Sequence, residues 1–419
     1  MGVLFSIMMD AKHLAYGGLI SAIAILIFVI GYVIYSNYQN NNIQESSGNF
    51  LHVEGNKVID ENNNEIFLRG FAIDPFGYRS FKETPGKYSQ EQINQFNSDI
   101  FQSYLSEEDI KEMRDMGSNV VRKQISFYAL EIEPYKYNDG VLEVIDDLIN
   151  RSYKHGVYVI ISLTNAAQNT KQQDNLATYN GTPYLWTDPE WRKRVIAAAG
   201  HMAEHFADNP GIAGYDMINE PEPSSKEALH SFYSDIIKEI RKYDKNHIII
   251  LENCHFSPEC EKILFGGEYE DSNIMLSPHY YNDAAEGVKS NPNSVEYETR
   301  QEIEKKVKEL LSQPATQGRP IFMGEFSALW GSGEKGLQWT QDVIDLMNQY
   351  GMHWTYFSYK NIDNQRGLYV AKEWWRKDLT ENQIENLIVG DTQKKLLSTK
   401  ENYEINQRIK QILEDGFKN

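Results

Sequence analysis

Ile212-Ala-Gly-Tyr-Asp-Met-Ile218, running straight into Asn219-Glu220-Pro221, is the stretch that decides how this chain reads. A short β-rich run ends at an acid that stands immediately before a rigid proline, which presents the carboxylate at the carboxyl end of a strand. The arrangement recurs at Pro320-Ile-Phe-Met-Gly324, which delivers Glu325 followed by Phe326 and Ser327. Outward from these two, further β-rich runs lie at 67–73, 119–125, 158–163, 247–251, 274–277 and 354–358, which makes eight candidate strands.

Helical periodicity fills the intervals at 106–116, 141–155, 189–206, 226–243, 295–311 and 336–350. In the first of these Ser106 is placed to cap, acids crowd the positive end of the helix dipole, and Gly117 stops the helix. Strands alternating with helices predict an α/β fold with a parallel sheet and crossover helices. Eight such units predict a closed (β/α)8 TIM barrel. A doubly wound open sheet is the alternative, weakened in its dinucleotide-binding form because no Gly-x-Gly-x-x-Gly follows the first strand. Ahead of the barrel, two short apolar runs separated by turn formers within 50–68 predict a β-hairpin.

The amino-terminal part reads differently. From Leu14 to Tyr35 the sequence carries no charge, a length that spans a hydrocarbon core. A cleaved signal peptide competes with this reading, but the apolar run is long for a signal core and 36–42 offers no small-x-small cleavage site. The expected organisation is a short segment 1–13, a single transmembrane anchor 14–35, a polar linker 36–49 and a catalytic domain 50–419. Lys12 on the leading side directs the large domain outward, so an extracytoplasmic location is expected.

A formal net charge of -19 disfavours phosphate backbones, and no basic stripe offsets it, so nucleic acid is not an expected partner. With 12% aromatic residues the chain suits a neutral, polyhydroxylated ligand, because aromatic faces pack on sugar C–H surfaces without needing charge. Cys254 and Cys260 form no zinc pattern; a short loop disulfide and two free thiols both remain open.

In a (β/α)8 barrel the reacting groups sit at the carboxyl ends of the strands. That rule brings Glu220 and Glu325 to one mouth. Hydrolysis of a glycosidic bond needs one protonated carboxyl for the leaving oxygen and one carboxylate for the oxocarbenium centre, in environments that push their pKa values apart. Glu325, held by a cation or a hydroxyl donor, fits the nucleophile; Glu220 fits the acid/base.

With Asn219-Glu220-Pro221, Glu325 and the entry segment Leu68-Arg-Gly-Phe-Ala72 in place, the sequence over most of 50–360 resembles the family 5 glycoside hydrolases, retaining barrel enzymes of cellulase and mannanase type. The resemblance implies that Arg122 braces the nucleophile and that Asn219 binds the sugar 2-hydroxyl. In Leu276-Ser-Pro-His279-Tyr-Tyr281 it implies that His279 contacts the acid/base and that Tyr281 bonds Glu325. Two departures stand out. After the third strand Thr164 or Asn165 replaces the family's usual histidine, a change shared with some mannan-cleaving relatives. After the eighth, Phe357 stands where a tryptophan normally floors the sugar site.

Aromatic residues of the following loops, among them Tyr184, Trp186 and Trp330, with Trp374 and Trp375 farther on, are candidates to line the cleft. The expected substrate-binding set is Asn165, Trp186, Trp330 and Phe357. Neither metal nor organic cofactor is expected, because no second His or acid stands near His279 in the sequence at metal spacing. The expected activity is a membrane-displayed retaining glycosidase, endo-acting on β-1,4-glucan or β-mannan. Its rival is a sugar-binding barrel that has lost turnover.

Overall fold

A computed structural model describes residues 50–73, 101–102, 104–164, 166, 183–253, 264–281, 295–361, 366–372 and 400–418. The apolar run 14–35, Asn165, both cysteines, Trp374 and Trp375 lie outside the described residues. Among those described, no helix is long and apolar enough to cross a membrane.

Eight strands pair in parallel around a barrel: β1 (Arg69–Ile73), β2 (Val120–Ser126), β3 (Tyr158–Thr164), β4 (Ile212–Met217), β5 (Ile248–Glu252), β6 (Ile274–Ser277), β7 (Phe322–Phe326) and β8 (His353–Phe357). Neighbours in sequence are neighbours in space, and β8 returns to β1 with Trp354 opposite Arg69. The one interruption is Pro278, which has no N–H to give the ladder. Beyond it His279–Tyr280 resume β6 and set His279 opposite Glu325. A bridge between Leu276 and Ile321, and a bond from Gly324 N to Pro278 O at 3.1 Å, carry the ladder past the proline and close the ring.

The observed strands match the eight expected runs with ends displaced by a few residues. The largest consequence is at β7, which continues to Phe326, so Glu325 lies inside the strand and is fixed by its pairing. Gly70 is required where β1 crosses β2: a Cβ there would sit 1.7 Å from Val120 O. The expected hairpin also forms, His52–Glu54 against Lys57–Ile59, turning through Gly55 at φ 62°.

Seven helices of ten residues or more surround the strands among the described residues: α1 (Glu107–Met116), α2 (Asp139–Tyr153), α3 (Pro189–Phe206), α4 (Lys226–Tyr243), α5 (Arg300–Leu311), α6 (Gly333–Gln349) and α7 (Gln407–Lys418). At α1 the capping box of Ser106 and Asp109 forms and Gly117 adopts φ 111°. The helix expected from residue 295 begins only at Arg300, because Thr299 and Glu302 make a capping box there. Its neighbour α6 starts three residues earlier than expected, at Gly333.

Inward-facing positions change character along the barrel axis. At the amino-terminal end Val120, Ile160, Ile248, Ile250, Met275 and Phe322 pack together, plugged by Leu51 and Val58 of the hairpin region. Two residues farther along the same strands, on the same face of the pleat, stand Arg122, Ser162 and Glu252. The apolar floor therefore supports a layer of buried polar groups directly beneath the mouth.

Candidate active site

Arg122 is the hub of that layer and is almost wholly buried, 1% exposed. Its Nε donates to Asp216 Oδ2 at 2.5 Å, Nη1 to Glu325 Oε1 at 2.7 Å, and Nη2 to Glu252 Oε1 at 2.6 Å, Asn219 Oδ1 at 2.8 Å and Ser162 Oγ at 3.0 Å. Burial alone would favour loss of its proton, but Asp216, Glu252 and Glu325 outweigh it and raise the guanidinium above its ordinary value. A fixed planar cation with this many donors holds several strand ends in register at once.

Glu325 accepts two further bonds, from Gln124 Nε2 at 3.0 Å and from the Tyr281 hydroxyl at 2.8 Å. Three donors, from β2 and from the end of β6, thus fix where its two oxygens lie. Burial, and then the charge of Glu325, push the Tyr281 phenol well above its usual value, so it remains a donor. Across the mouth Glu220 is held by its main chain, in the left-handed region at φ 47°, where a residue with a side chain is strained. Its N–H donates to Glu252 Oε2 at 2.6 Å, and its Oε1 lies 3.0 Å from His279 Nδ1.

The carboxyl groups of Glu220 and Glu325 and the ring of His279 each offer an atom within 4.8 Å of the others. The absence of an acid near His279 held only along the sequence; in the fold three carboxyl groups lie beside it, those of Glu220, Glu252 and Glu325. That donor set is nevertheless committed to hydrogen bonding. Burial works against a charged ring at His279, but Glu252, Glu325 and the bond to Glu220 overcome it and raise the pKa to about 9, so the imidazole carries a proton at neutral pH.

Glu252 is the less visible member. Burial and then Asp216 push its carboxyl well above the carboxylate range, against the pull of His279 and Arg122. Both Glu252 oxygens accept short N–H bonds, from Arg122 and from Glu220, which makes it an acceptor here and opposes its protonation.

Six expected residues therefore meet at one place: Arg122, Asn219, Glu220, His279, Tyr281 and Glu325. Phe357 borders them, 8% exposed with its ring edge-on to Tyr281 at 6.5 Å. Trp186 lies farther out, in the short helix Tyr184–Thr187, its ring edge-on to Phe232 of α4 at 5.5 Å. Trp330 lines a separate cavity of about 440 Å³ beside the start of α7, and Tyr184 packs on Trp191. The sequence reading passed over Gln124, Asp216 and Glu252. It also passed over Arg366, whose guanidinium lies 4.7 Å from the Tyr281 ring centroid while donating to Ser327 O at 2.7 Å. Glu252 carried the signal that selected Glu325, an acid closing an apolar strand.

The family model described as cellulase (glycosyl hydrolase family 5) matches residues 82–363. A β-xylosidase of Phanerodontia chrysosporium is 22% identical over 353 residues, spanning 77% of this chain and 73% of that protein. Endoglucanase C of Acetivibrio thermocellus is 22% identical over 321 residues, spanning 66% of this chain and 90% of that protein. Among solved structures, endo-glycoceramidase II from Rhodococcus sp., as its lactosyl-enzyme intermediate, superposes with a TM-score of 0.57 at 18% identity, over 74% of this chain and 77% of the other. These three names specify different glycosides, and at such identity the structural likeness speaks for the fold.

Proposed function

Because the chain belongs to the cellulase family, glycosyl hydrolase family 5, we propose that it hydrolyses β-linked glycosides by double displacement, with Glu325 as nucleophile and Glu220 as acid/base. The observation that carries this reading is the approach of the two carboxyl groups, with an oxygen of each within 4.8 Å. Retaining pairs stand about 5–5.5 Å apart, whereas inverting pairs leave about 6.5–9.5 Å for a water.

In the first step Glu325 attacks the anomeric carbon while Glu220 passes its proton to the departing oxygen, giving a covalent glycosyl ester. In the second, Glu220 takes a proton from water, whose oxygen displaces Glu325, and the anomeric configuration is retained. Asn219 accepts from Arg122 Nη2 at 2.8 Å and Gln124 Nε2 at 2.9 Å, which fixes its carbonyl oxygen and makes the amide N–H the end that meets the sugar 2-hydroxyl. Phe357 supplies an apolar face beside Tyr281 without an indole donor. We take β-1,4-glucan and β-mannan, cleaved internally, as the substrates, and the run 14–35 as a membrane anchor that displays the domain outward.

The test is release of reducing ends from soluble β-glucan and β-mannan by the full chain in detergent, beside Glu220→Gln and Glu325→Gln. Each substitution is expected to lower kcat at least about 10³-fold. Wild-type turnover that survives both changes rejects the assignment, and sugar binding without turnover across the panel favours the binding-only barrel. Release of the protein from sedimented membranes by carbonate would reject the anchor.

A further inference from the structure

We propose that Glu252 is a positioning residue of this centre: it locks the strained main chain of Glu220 and, from the far side of the ring, holds His279 as the imidazolium that faces the acid/base. The proposal rests on the catalytic reading of Glu220. Its first support is that one oxygen serves both tasks. Glu252 Oε2 accepts the Glu220 N–H at 2.6 Å and lies 3.5 Å from His279 Nε2. The other oxygen is anchored on Arg122 at 2.6 Å, and the main-chain carbonyl of Glu252 accepts from the Tyr233 hydroxyl at 2.8 Å. The side chain is 2% exposed, so no solvent screens these contacts.

The second support is the disposition of the ring. His279 sets Nδ1 toward Glu220 Oε1 at 3.0 Å and Nε2 toward Glu252. An imidazole that faces a carboxylate from each nitrogen serves both only as a two-donor cation. The other charged groups around it are Glu325 of β7, 3.9 Å from Nδ1, and Arg122 of β2, which opposes the charge. Lys306 and Glu309 of α5 face it across a cavity behind β6. Room for the ring comes from Gly324, where a Cβ would lie 2.8 Å from Nε2.

The mechanistic consequence concerns the glycosylation step. As Glu220 gives up its proton it becomes a carboxylate that accepts from His279 Nδ1–H, so a ring kept charged by Glu252 favours that transfer. Without the Glu252 charge the ring titrates lower, and at neutral pH Glu220 loses its cationic neighbour.

Glu252→Gln keeps an acceptor for the Glu220 N–H and removes the charge; Glu252→Asp keeps the charge and withdraws it by one methylene. The full chain with 15N-labelled histidine is titrated, the His279 signal being identified by its absence in His279→Gln. The wild-type ring is expected to stay protonated past pH 8, and in Glu252→Gln to titrate about three units lower, with Glu252→Asp between them. In kcat/KM the Gln variant is expected to lose roughly tenfold at pH 7, a deficit that shrinks toward pH 5.5 as the ring recharges. A His279 titration identical in wild type and Gln variant overturns the proposal, as does a deficit independent of pH, which marks a merely structural role. Absence of wild-type turnover would instead strike the catalytic reading, and the NMR titration would still decide whether Glu252 holds the ring charged.

Discussion

Two charge clusters in this barrel are built on opposite balances, one buried at the mouth and one half-buried at its side. At the mouth, Arg122 and His279 face Asp216, Glu220, Glu252 and Glu325, so acids outnumber cations. Against α1, Asp109 and Glu112 meet Lys360, Lys400 and Lys410, with the Tyr359 and Tyr369 hydroxyls adding donors. That second cluster joins α1 to the chain after β8 and to α7. Every acid in it has a cation of its own, which is how a polar tie is made inert. The mouth holds more acids than cations, the kind of imbalance that acid/base chemistry uses.

The difference is broken most severely at the two central cations. Arg122→Met would leave Asp216, Glu252 and Glu325 buried around a thioether, at a cost of about 3–5 kcal/mol, with loss of turnover. Lys360→Met removes a cation of similar burial, but Lys400 stays 3.5 Å from Asp109 and Tyr359 still donates to it, so a smaller loss is expected. Urea midpoints of the two variants test the ordering. Equal losses would mean that surplus acid at the mouth carries no special penalty.

A milder change sharpens the comparison by touching geometry without touching charge. Gly324→Ala places a methyl 2.8 Å from His279 Nε2 and 2.7 Å from Ser277 Oγ, so the ring must shift from the position in which it meets Glu220. Stability is expected to fall by about 1–3 kcal/mol. A drop of roughly 10–100-fold in kcat/KM should accompany it, because small misplacements at a reacting centre are costly. Unaltered turnover would show that His279 need not sit where β6 and β7 hold it.

Much of this architecture was written along the chain in local terms. The runs that became β3, β4 and β6 begin at the expected residues, and Glu220 was marked by its Asn and Pro neighbours. Arg122 needed the family resemblance, because nothing local says that its partners lie 94, 130 and 203 residues away. Asp216 was hidden for the opposite reason: it sits inside an apolar strand, where alternation alone reads it as an exception. Glu252 was legible in principle, since Ile248–Glu252 ends on an acid as Pro320 to Glu325 does, but no adjoining motif drew notice to it. The helix α7 carried its own signal in Ile409, Leu413 and Phe417. It was obscured by the long polar insertion before it, although Phe417 stacks on Trp354 at 4.9 Å and completes the ring beside β8.

The smallest expected effect isolates the inert cluster. Burial works against the Glu112 carboxylate, but Lys400, Lys410, Tyr359 and Tyr369 win and lower its pKa to about 2 from 4.5. A depressed folded-state value stabilises the protein above the unfolded pKa, and that contribution is lost as pH falls from about 4.5 through 2. The full shift corresponds to about 3 kcal/mol, reduced to about 1–2 kcal/mol because the group is only half-buried and partly screened. Glu112→Gln is therefore expected to lower the urea midpoint at pH 7, flatten the acid limb of stability and leave kcat/KM unchanged. His279 has the opposite sign: raised to about 9, it stabilises fully below about 6.5 and loses that contribution as pH rises through 9. Acid should then weaken the cluster at α1 while alkali weakens the mouth. A Glu112→Gln protein that keeps the wild-type acid limb, or loses turnover, would show that the two clusters are not energetically separate.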